Sequence, residues 1–268
     1  MFRGLSVYTG NAHPEFAHDI AEALGLPLGR ADVFKFPNDE IFVQIKENAR
    51  EHDVFVVQSL SGPGTSDHIM ELLIMLDAFR RASAGRITAV MPLVGYFSEE
   101  YAGHDDAVVV VPDLGFAKKG RNFAEKLRLP TAFVEKRRRG NTGETEIVDI
   151  VGDIGYRRAI IIDDLINTGG TVLNTIHALQ EGGVHDIVVA CVHALLTGDA
   201  ADALCASGIR ELVVTDTVPL PLEKRHERII RVLSVAPLFA ETIRRIHEGE
   251  SVGALFTSPT VQLPLRVR

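Results

Sequence analysis

Two adjacent carboxylates, Asp163 and Asp164, close the apolar run "AIII" at residues 159–162. Four residues after Asp164, Thr168-Gly169-Gly170-Thr171 opens a segment with helical spacing. Glycines let backbone N–H groups approach an anion closely, and the N-terminus of a following helix adds partial positive charge. Thr168 and Thr171 add hydroxyl donors, so the turn suits a phosphate. Two acids beside a bare phosphate would repel it. They fit if they accept hydrogen bonds from neighbouring hydroxyls or orient a hydrated Mg²⁺. A sugar phosphate offers both features, a phosphate for the turn and a vicinal diol for the acids. The plain alternative is a strand–loop–helix junction with an Asp/Thr cap.

The same logic recurs elsewhere in weaker form. "VVVVPDLGFAKKG" (108–120) runs a buried strand into Asp113 and a glycine turn. Asp113 is a candidate holder of a metal or a substrate hydroxyl, with a structural turn equally open. "EKRRRG" (135–140) puts four cations, Lys136 to Arg139, after the apolar run "TAFVE" and before the polar turn "GNTGE". Cations on a mobile loop at the same end of a sheet would close over a polyphosphate, Lys as a point charge and Arg as a planar fork. "FPNDE" (36–40) reads as a turn whose acids are candidates for a base or ribose. No Walker loop, no G-x-S-x-G and no H-E-x-x-H occurs, and spacing gives none of the ten histidines a catalytic role.

These residues need a scaffold, and the pattern supplies one. Short apolar runs such as "LSVYTG", "DVFVVQS", "AVVVVPD", "AIIIDD" and "DIVVACVHA" alternate with amphipathic segments. Several runs are apolar on both faces, as buried parallel strands are, which predicts an α/β fold with mainly parallel sheets flanked by helices. In "DHIMELLIMLDAFRRA" (67–82), Ile69, Leu72, Leu73, Leu76 and Phe79 are expected on one buried helical face, with Pro63 and Ser66 marking its start. The pattern breaks at 95–106, "GYFSEEYAGHDD", read as the junction of two halves. That gives an N-terminal half at 1–103, a C-terminal half at 104–256 and a tail at 257–268 expected to be disordered. The final helix, 236–250, is a candidate to pack back on the N-terminal half.

A formal charge of −8 argues against nucleic-acid and membrane partners, which call for a basic surface. No apolar run approaches the roughly 18 residues needed to span a bilayer, and no signal-peptide core opens the chain, so cytoplasm is expected. The two cysteines, Cys191 and Cys205, are too few for a disulfide framework and are expected to be buried small hydrophobes.

At "IIIDDLINTGGT" the sequence resembles the phosphoribosyl-pyrophosphate (PRPP) loop of the phosphoribosyltransferase superfamily. Within it, "FPNDEIFVQI", "VVVVPDLG", "FVEKRRRGNTGE", "ELVVTDTVPLP" and "LSVAPLFAETIRRIHEGESVGALF" resemble the ribose-phosphate diphosphokinase family, in family order from near residue 5 to 256. The resemblance implies two phosphoribosyltransferase-like halves, the first shortened. It implies transfer of the β,γ-diphosphoryl group of ATP to ribose 5-phosphate, with Mg²⁺, giving PRPP and AMP for nucleotide biosynthesis. By resemblance, Asp163, Asp164, Asn167, Thr168, Gly169, Gly170 and Thr171 hold ribose 5-phosphate, and Lys136 and Arg138 are the catalytic-loop cations. Asp113 matches a Mg²⁺-associated aspartate, and Asn38, Asp39 and Glu40 match the ATP segment. A homo-oligomer, or a hetero-oligomer with full-length homologues, is implied as well.

The departures are specific. After Gly95-Tyr96 the family continues with an arginine- and lysine-rich nucleotide segment, a helix, and a strand supplying a metal-linked histidine. Here the text passes directly to "FSEEYAGHDDAVVVVPD", and His104 stands in no such motif. Asn167 also stands where an aspartate is usual, and "VPDLGF" is poorer in glycine than the family pattern. The alternative expectation is therefore a catalytically weak or silent homologue that binds ribose 5-phosphate or PRPP as a regulatory or structural subunit.

Overall fold

The computed structural model describes residues 2–60, 64–92, 106–138, 145–155, 158–224, 228–257 and 266–267. In chain order the first elements are β1 (Leu5–Thr9), α1 (Pro14–Ala23), β2 (Ala31–Lys35), β3 (Ile41–Ile45), β4 (Asp53–Val57), α2 (Thr65–Arg81) and β5 (Arg86–Val90). Next come β6 (Ala107–Val111), α3 (Ala117–Leu127), β7 (Thr131–Arg138), β8 (Thr145–Val151), β9 (Arg158–Ile166), α4 (Gly170–Glu181) and β10 (Asp186–Ala194). They are followed by α5 (Ala200–Ala206), β11 (Glu211–Thr215), β12 (Ile230–Ser234), α6 (Ala236–Glu248), α7 (Ala254–Thr257) and β13 (Arg266–Val267). The α/β class and the parallel-rich sheets are as the apolar runs predict.

Two compact units form, and the chain enters the first one three times: Met1–Leu93, Asp216–Pro219 and Ser234–Arg266. The second takes Val94–Thr215, Leu220–Leu233 and Val267–Arg268. The first unit's opening stretch ends at Leu93, and α6 packs on α1 within that unit. The expected junction at 95–106 falls, except for Asp106, outside the described residues. Of the tail, Thr257 ends α7 and Arg266–Val267 form a short strand, a correction to the expectation of disorder at those residues. Strand pairing satisfies backbone groups that a disordered tail leaves to water.

In the first unit, β1, β4 and β5 make a parallel sheet in the order β1-β4-β5, and β2 and β3 pair as an antiparallel ribbon. β4, "DVFVV", is buried at every residue, as a central strand covered on both faces must be. Its first residue, Asp53, is 0% exposed and is held by Arg86 and His247. Helix α2 departs from expectation. Leu72, Met75 and Phe79 are buried and Leu76 packs against them, but Ile69 and Leu73 are exposed. The buried arc is set by contact with Tyr8, Val54 and Val56, and it runs through Met75, which a face drawn through Ile69 and Leu73 leaves out.

The second unit is built on a sheet of order β13-β12-β11-β10-β9-β6-β7-β8. From β12 to β7 neighbouring strands run parallel, and only β7–β8 is antiparallel among the registered pairs. From β6 the chain moves outward to β7 and β8, then returns as β9 on the other side of β6. Strand order therefore reverses between β6 and β9, where open α/β sheets leave a crevice at the strands' carboxyl ends. One face packs Ile161, Cys191 and Val189 with α4 residues Ile176 and Leu179; the other packs Ile160, Ile162 and Ala190 with α3 residues Ala124 and Leu127. Cys191 is fully buried as expected, whereas Cys205 is half-buried.

Candidate functional site

The crevice between β6 and β9 carries the acids singled out from the sequence. Asp113 follows β6 by two residues, and Asp163 and Asp164 lie in the last four residues of β9. Strict alternation would send Asp163 and Asp164 to opposite faces of the sheet. The strand does not keep alternation: Ile162 packs on the α3 side, but Ile166, four residues later, packs on the α4 side. β10 does the same between Ala190 and Ala194. Both strands turn over once at their carboxyl ends, where the two acids sit.

Burial pushes the Asp163 carboxyl up to about 6, and the nearby charges of Asp164 and Asp113 add to the rise. The Asp164 backbone N–H, donating to Asp163 Oδ1 at 2.9 Å, works the other way. Asp164 pairs with Lys119 of α3 at 3.3 Å, and Lys119 Nζ also stands 5.4 Å from the centre of the Phe116 ring. Asp113 Oδ1 accepts from Gly115 N at 2.7 Å, which fixes the turn behind β6.

The glycine turn begins where β9 ends. Gly169 has φ +77, a left-handed conformation that favours glycine, and it caps α4. No side chain caps α4 by hydrogen bonding and no acid lies in its first turn. A Cβ on Gly170 would meet nothing within 4 Å, so the turn has an open side. Asn167 is braced from the neighbouring strand exit: Thr197 Oγ1 donates to Asn167 Oδ1 at 2.8 Å, and Thr197 N donates to Asn167 O at 2.9 Å. Leu195 N and Leu196 N both donate to Ile166 O, at 3.0 and 3.1 Å. Lys224 Nζ in turn donates to Leu196 O.

Lys136 and Arg138 correct the loop expectation. β7 continues through Arg138, with Lys136 paired to Ile147 and Arg138 to Thr145 of β8, past a bulge at Glu135/Lys136. An antiparallel partner satisfies the backbone of this polar stretch, which a composition reading takes for a loop. Residues 139–144, with Arg139 and all of "GNTGE", lie outside the described residues.

Asn38, Asp39 and Glu40 belong to the first unit, at the tip of the β2–β3 ribbon. Phe36 N donates to Glu40 O at 2.8 Å and Asp39 N to Phe36 O at 2.9 Å, with Asp39 at φ 68. Lys35 Nζ reaches Asp39 at 2.9 Å and Asp67 of α2 at 3.0 Å. Beside the tip, Phe34 and Phe36 stand 41% and 40% exposed, packed edge-on to each other with ring centres 4.9 Å apart.

Known proteins share this arrangement over nearly the whole chain. A family model described as the N-terminal domain of ribose phosphate pyrophosphokinase matches residues 5–112, and one described as a phosphoribosyl synthetase-associated domain matches 141–257. A ribose-phosphate pyrophosphokinase of Caldanaerobacter subterraneus is 39% identical over 313 positions, covering 94% of this chain and 98% of the relative. The chain belongs to the ribose-phosphate pyrophosphokinase family. A Burkholderia pseudomallei ribose-phosphate pyrophosphokinase is 37% identical, covering 94% of this chain and 98% of its own length. The crystal structure of phosphoribosylpyrophosphate synthetase from Mycobacterium smegmatis superposes with a TM-score of 0.81 at 30% identity, covering 92% of this chain and all of that one.

Against its pyrophosphokinase relatives the chain is short internally. The 313 aligned positions hold 94% of 268 residues, about 252, so about 60 positions of the Caldanaerobacter protein face no residue here. Several residues of this pyrophosphokinase chain escaped the sequence reading. Thr197, Leu196 and Lys224 brace the glycine turn, and Lys119 holds Asp164. His193, 8% exposed on β10, lies within reach of the charges of Asp164 and Lys119, and burial holds its imidazole below the ordinary value. None stands in a local motif. The signal available was positional, since residues 195–199 leave a strand adjacent to β9 at the same sheet end.

Proposed function

We propose that the chain transfers the diphosphoryl group of ATP to the anomeric hydroxyl of ribose 5-phosphate, yielding PRPP and AMP for nucleotide biosynthesis. The observation that carries this reading is the gathering of Asp113, Asp163 and Asp164 at the β6/β9 reversal, beside a glycine turn open on one side. In this reading the turn from Asn167 to Thr171 takes the 5-phosphate on backbone N–H groups, and Asp163 and Asp164 accept from the ribose hydroxyls. The anomeric oxygen attacks the β-phosphorus, its proton is lost, the bond to the α,β-bridging oxygen breaks, and AMP departs. Such transfer asks mainly for positioning and charge neutralisation. Lys136 and Arg138 are assigned the latter role.

Mg²⁺ fits the donor set. Asp113, Asp163 and Asp164 are hard oxygen donors at one sheet end, and Asp163 is held above the ordinary carboxylate range by burial first and then by the charges of Asp164 and Asp113. Asp113, with its turn fixed by Gly115, would hold the ion, which supplies neutralisation of the phosphate oxygens when bound. Asn38, Asp39 and Glu40 are assigned to ATP, with the exposed Phe36 ring offering a face on which adenine can stack. A cytoplasmic homo-oligomer, or an assembly with full-length homologues, belongs to the same reading. Among the described residues no helix is long and apolar enough to cross a membrane.

The internal shortening favours a second reading, a homologue that binds ribose 5-phosphate or PRPP without turning over ATP. AMP formation from ATP, dependent on ribose 5-phosphate and Mg²⁺, separates the two, with Lys136→Ala as control. The enzyme reading expects AMP from the natural chain and little from the variant. AMP no higher than the control, alongside measurable PRPP binding, establishes the second reading.

A further inference from the structure

The first unit holds a buried polar cluster that the assignments above do not use. Glu71 of α2 is 6% exposed and Gln58, just past β4, is 1% exposed. Both carboxylate oxygens of Glu71 are taken. Asn11 N donates to Oε2 at 3.1 Å, Asn11 Nδ2 to Oε1 at 2.7 Å, and Gln58 Nε2 to Oε2 at 2.8 Å. Gln58 is itself fully engaged, giving its other amide proton to His68 O at 3.1 Å and accepting from Ala12 N at 3.2 Å. The fit is close enough to dictate a neighbour: a Cβ on Gly10 would come within 2.3 Å of Gln58 Oε1. A buried carboxylate with three donors is costly to assemble and, once assembled, holds the groups around it in one arrangement.

The cluster reaches outward at one point. The Asn11 amide, anchored on Glu71, also donates to Val33 O at 3.0 Å. Val33 lies in the middle of β2, paired with Val43 across the ribbon, so Asn11 occupies β2's edge where another strand would otherwise dock. Val33 and Val43 pack inward on Tyr8, Leu72 and Met75. The alternate residues Phe34 and Phe42 face the other way, rings 4.9 Å apart, and the ribbon then turns through Phe36 to Glu40. A second, exposed tie joins the same two elements, Lys35 bridging Asp67 of α2 and Asp39 of the tip.

We propose that Glu71, through Asn11, is a positioning device for the nucleotide-binding ribbon: it fixes the edge of β2 and so the attitude of Phe36 and the 38–40 turn. The inference rests on the assignment of that segment to ATP. The tie through Asn11 carries the control: its bond to Val33 is exposed, but Asn11 is held by two hydrogen bonds to the buried Glu71, whereas the Lys35 tie is exposed at both ends, and pairs of that kind contribute little. Neither Asn11 nor Glu71 touches the nucleotide in this scheme.

The test uses the full chain and three variants, Asn11→Ala, Glu71→Gln and Phe36→Ala, with a non-hydrolysable ATP analogue and ribose 5-phosphate as separate calorimetric probes. Hydrogen exchange of ribbon amides 31–45 is read beside that of β4. Asn11→Ala is expected to weaken analogue binding about tenfold, the loss of roughly one well-placed hydrogen bond's worth of geometry. It should leave ribose 5-phosphate affinity within twofold and speed exchange in the ribbon without affecting β4. Glu71→Gln, which meets three donors with only one acceptor oxygen, should move the same readouts in the same direction. Weakened binding by Phe36→Ala but not by Asn11→Ala overturns the positioning role and leaves the ATP assignment standing. Unchanged analogue binding in Phe36→Ala, or none by the natural chain, overturns the assignment and the inference with it. Equal losses for both ligands, with faster exchange in β4, would reduce Asn11 to a general stability role and also overturn the inference.

Discussion

The raised Asp163 carboxyl makes stability and function pull apart in a measurable way. In the unfolded chain the group titrates near the ordinary 3.8, and in the folded chain near 6, with burial the larger cause. Because the folded value is higher, the folded state binds more protons between those two values. The contribution is thus fully present below about pH 4 and is lost as pH rises through 6. A shift of about two units corresponds to about 3 kcal/mol at most. Asp163 is partly open to water, so screening reduces this to about 1–2 kcal/mol. Asp163→Asn removes the charge and keeps Oδ1 to accept from Asp164 N. In chelator-treated protein the variant and the natural chain should be nearly equal in stability at pH 4. The variant should gain about 1–2 kcal/mol by pH 7 and then plateau, while ribose 5-phosphate turnover is lost. Urea melts from pH 4 to pH 8 read the difference directly. A difference that stays flat across that range would refute a desolvated acid at this position, whatever the activity does.

Two further outcomes follow from particular contacts. Asp53 is fully buried and, although burial alone would raise it, Arg86 and His247 hold it below the ordinary value. Arg86→Met should therefore cost about 3–5 kcal/mol in a denaturant melt at pH 7, as loss of one partner of a buried pair does. The stability that the natural arrangement gains from Asp53 should disappear as pH falls below about 4, the direction opposite to that at Asp163. Gly169→Ala should cost about 1–2 kcal/mol through its left-handed backbone, since the nearest atoms to a new Cβ, at 3.6 Å, leave room for it. Sugar-phosphate affinity, measured by calorimetry, should fall with it.

How much of this was legible in the sequence depended on how far apart the interacting residues lie. The runs "VFVV" and "AVVVV" announce central parallel strands because burial on both faces favours unbroken apolar residues, and both are buried throughout. The "DDLINTGG" segment is likewise self-contained, with acids, turn and helix start inside eight residues. Helix α2 was only half legible. Its period was readable, but which arc faces inward depends on Tyr8 and Val54, and Ile69 and Leu73 are apolar without being buried. The β7–β8 ribbon was misread for the same kind of reason. Lys136 to Arg138 have loop-like composition, and only the partner strand at 145–151 makes them extended.

The site divides along the same line. Acids and glycines that act through their own backbone neighbourhood were visible, because a left-handed Gly169 or an Asx-type turn at Asp113 leaves a local trace. Residues that act on them from another element were not. Thr197 braces Asn167 from 30 residues away, Lys119 reaches Asp164 from 45, and Glu71 holds Asn11 from 60. In each case the side chain is an ordinary Thr, Lys or Glu whose spacing carries no motif, and only sheet order brings it to its partner. The reversal between β6 and β9 connects the two kinds of residue. It sets Asp113 beside Asp163 and Asp164, so that three local signals separated by 50 residues read as one charged crevice. A substitution that shifted the β6–β9 register by one residue would leave every local motif intact and still disperse the site.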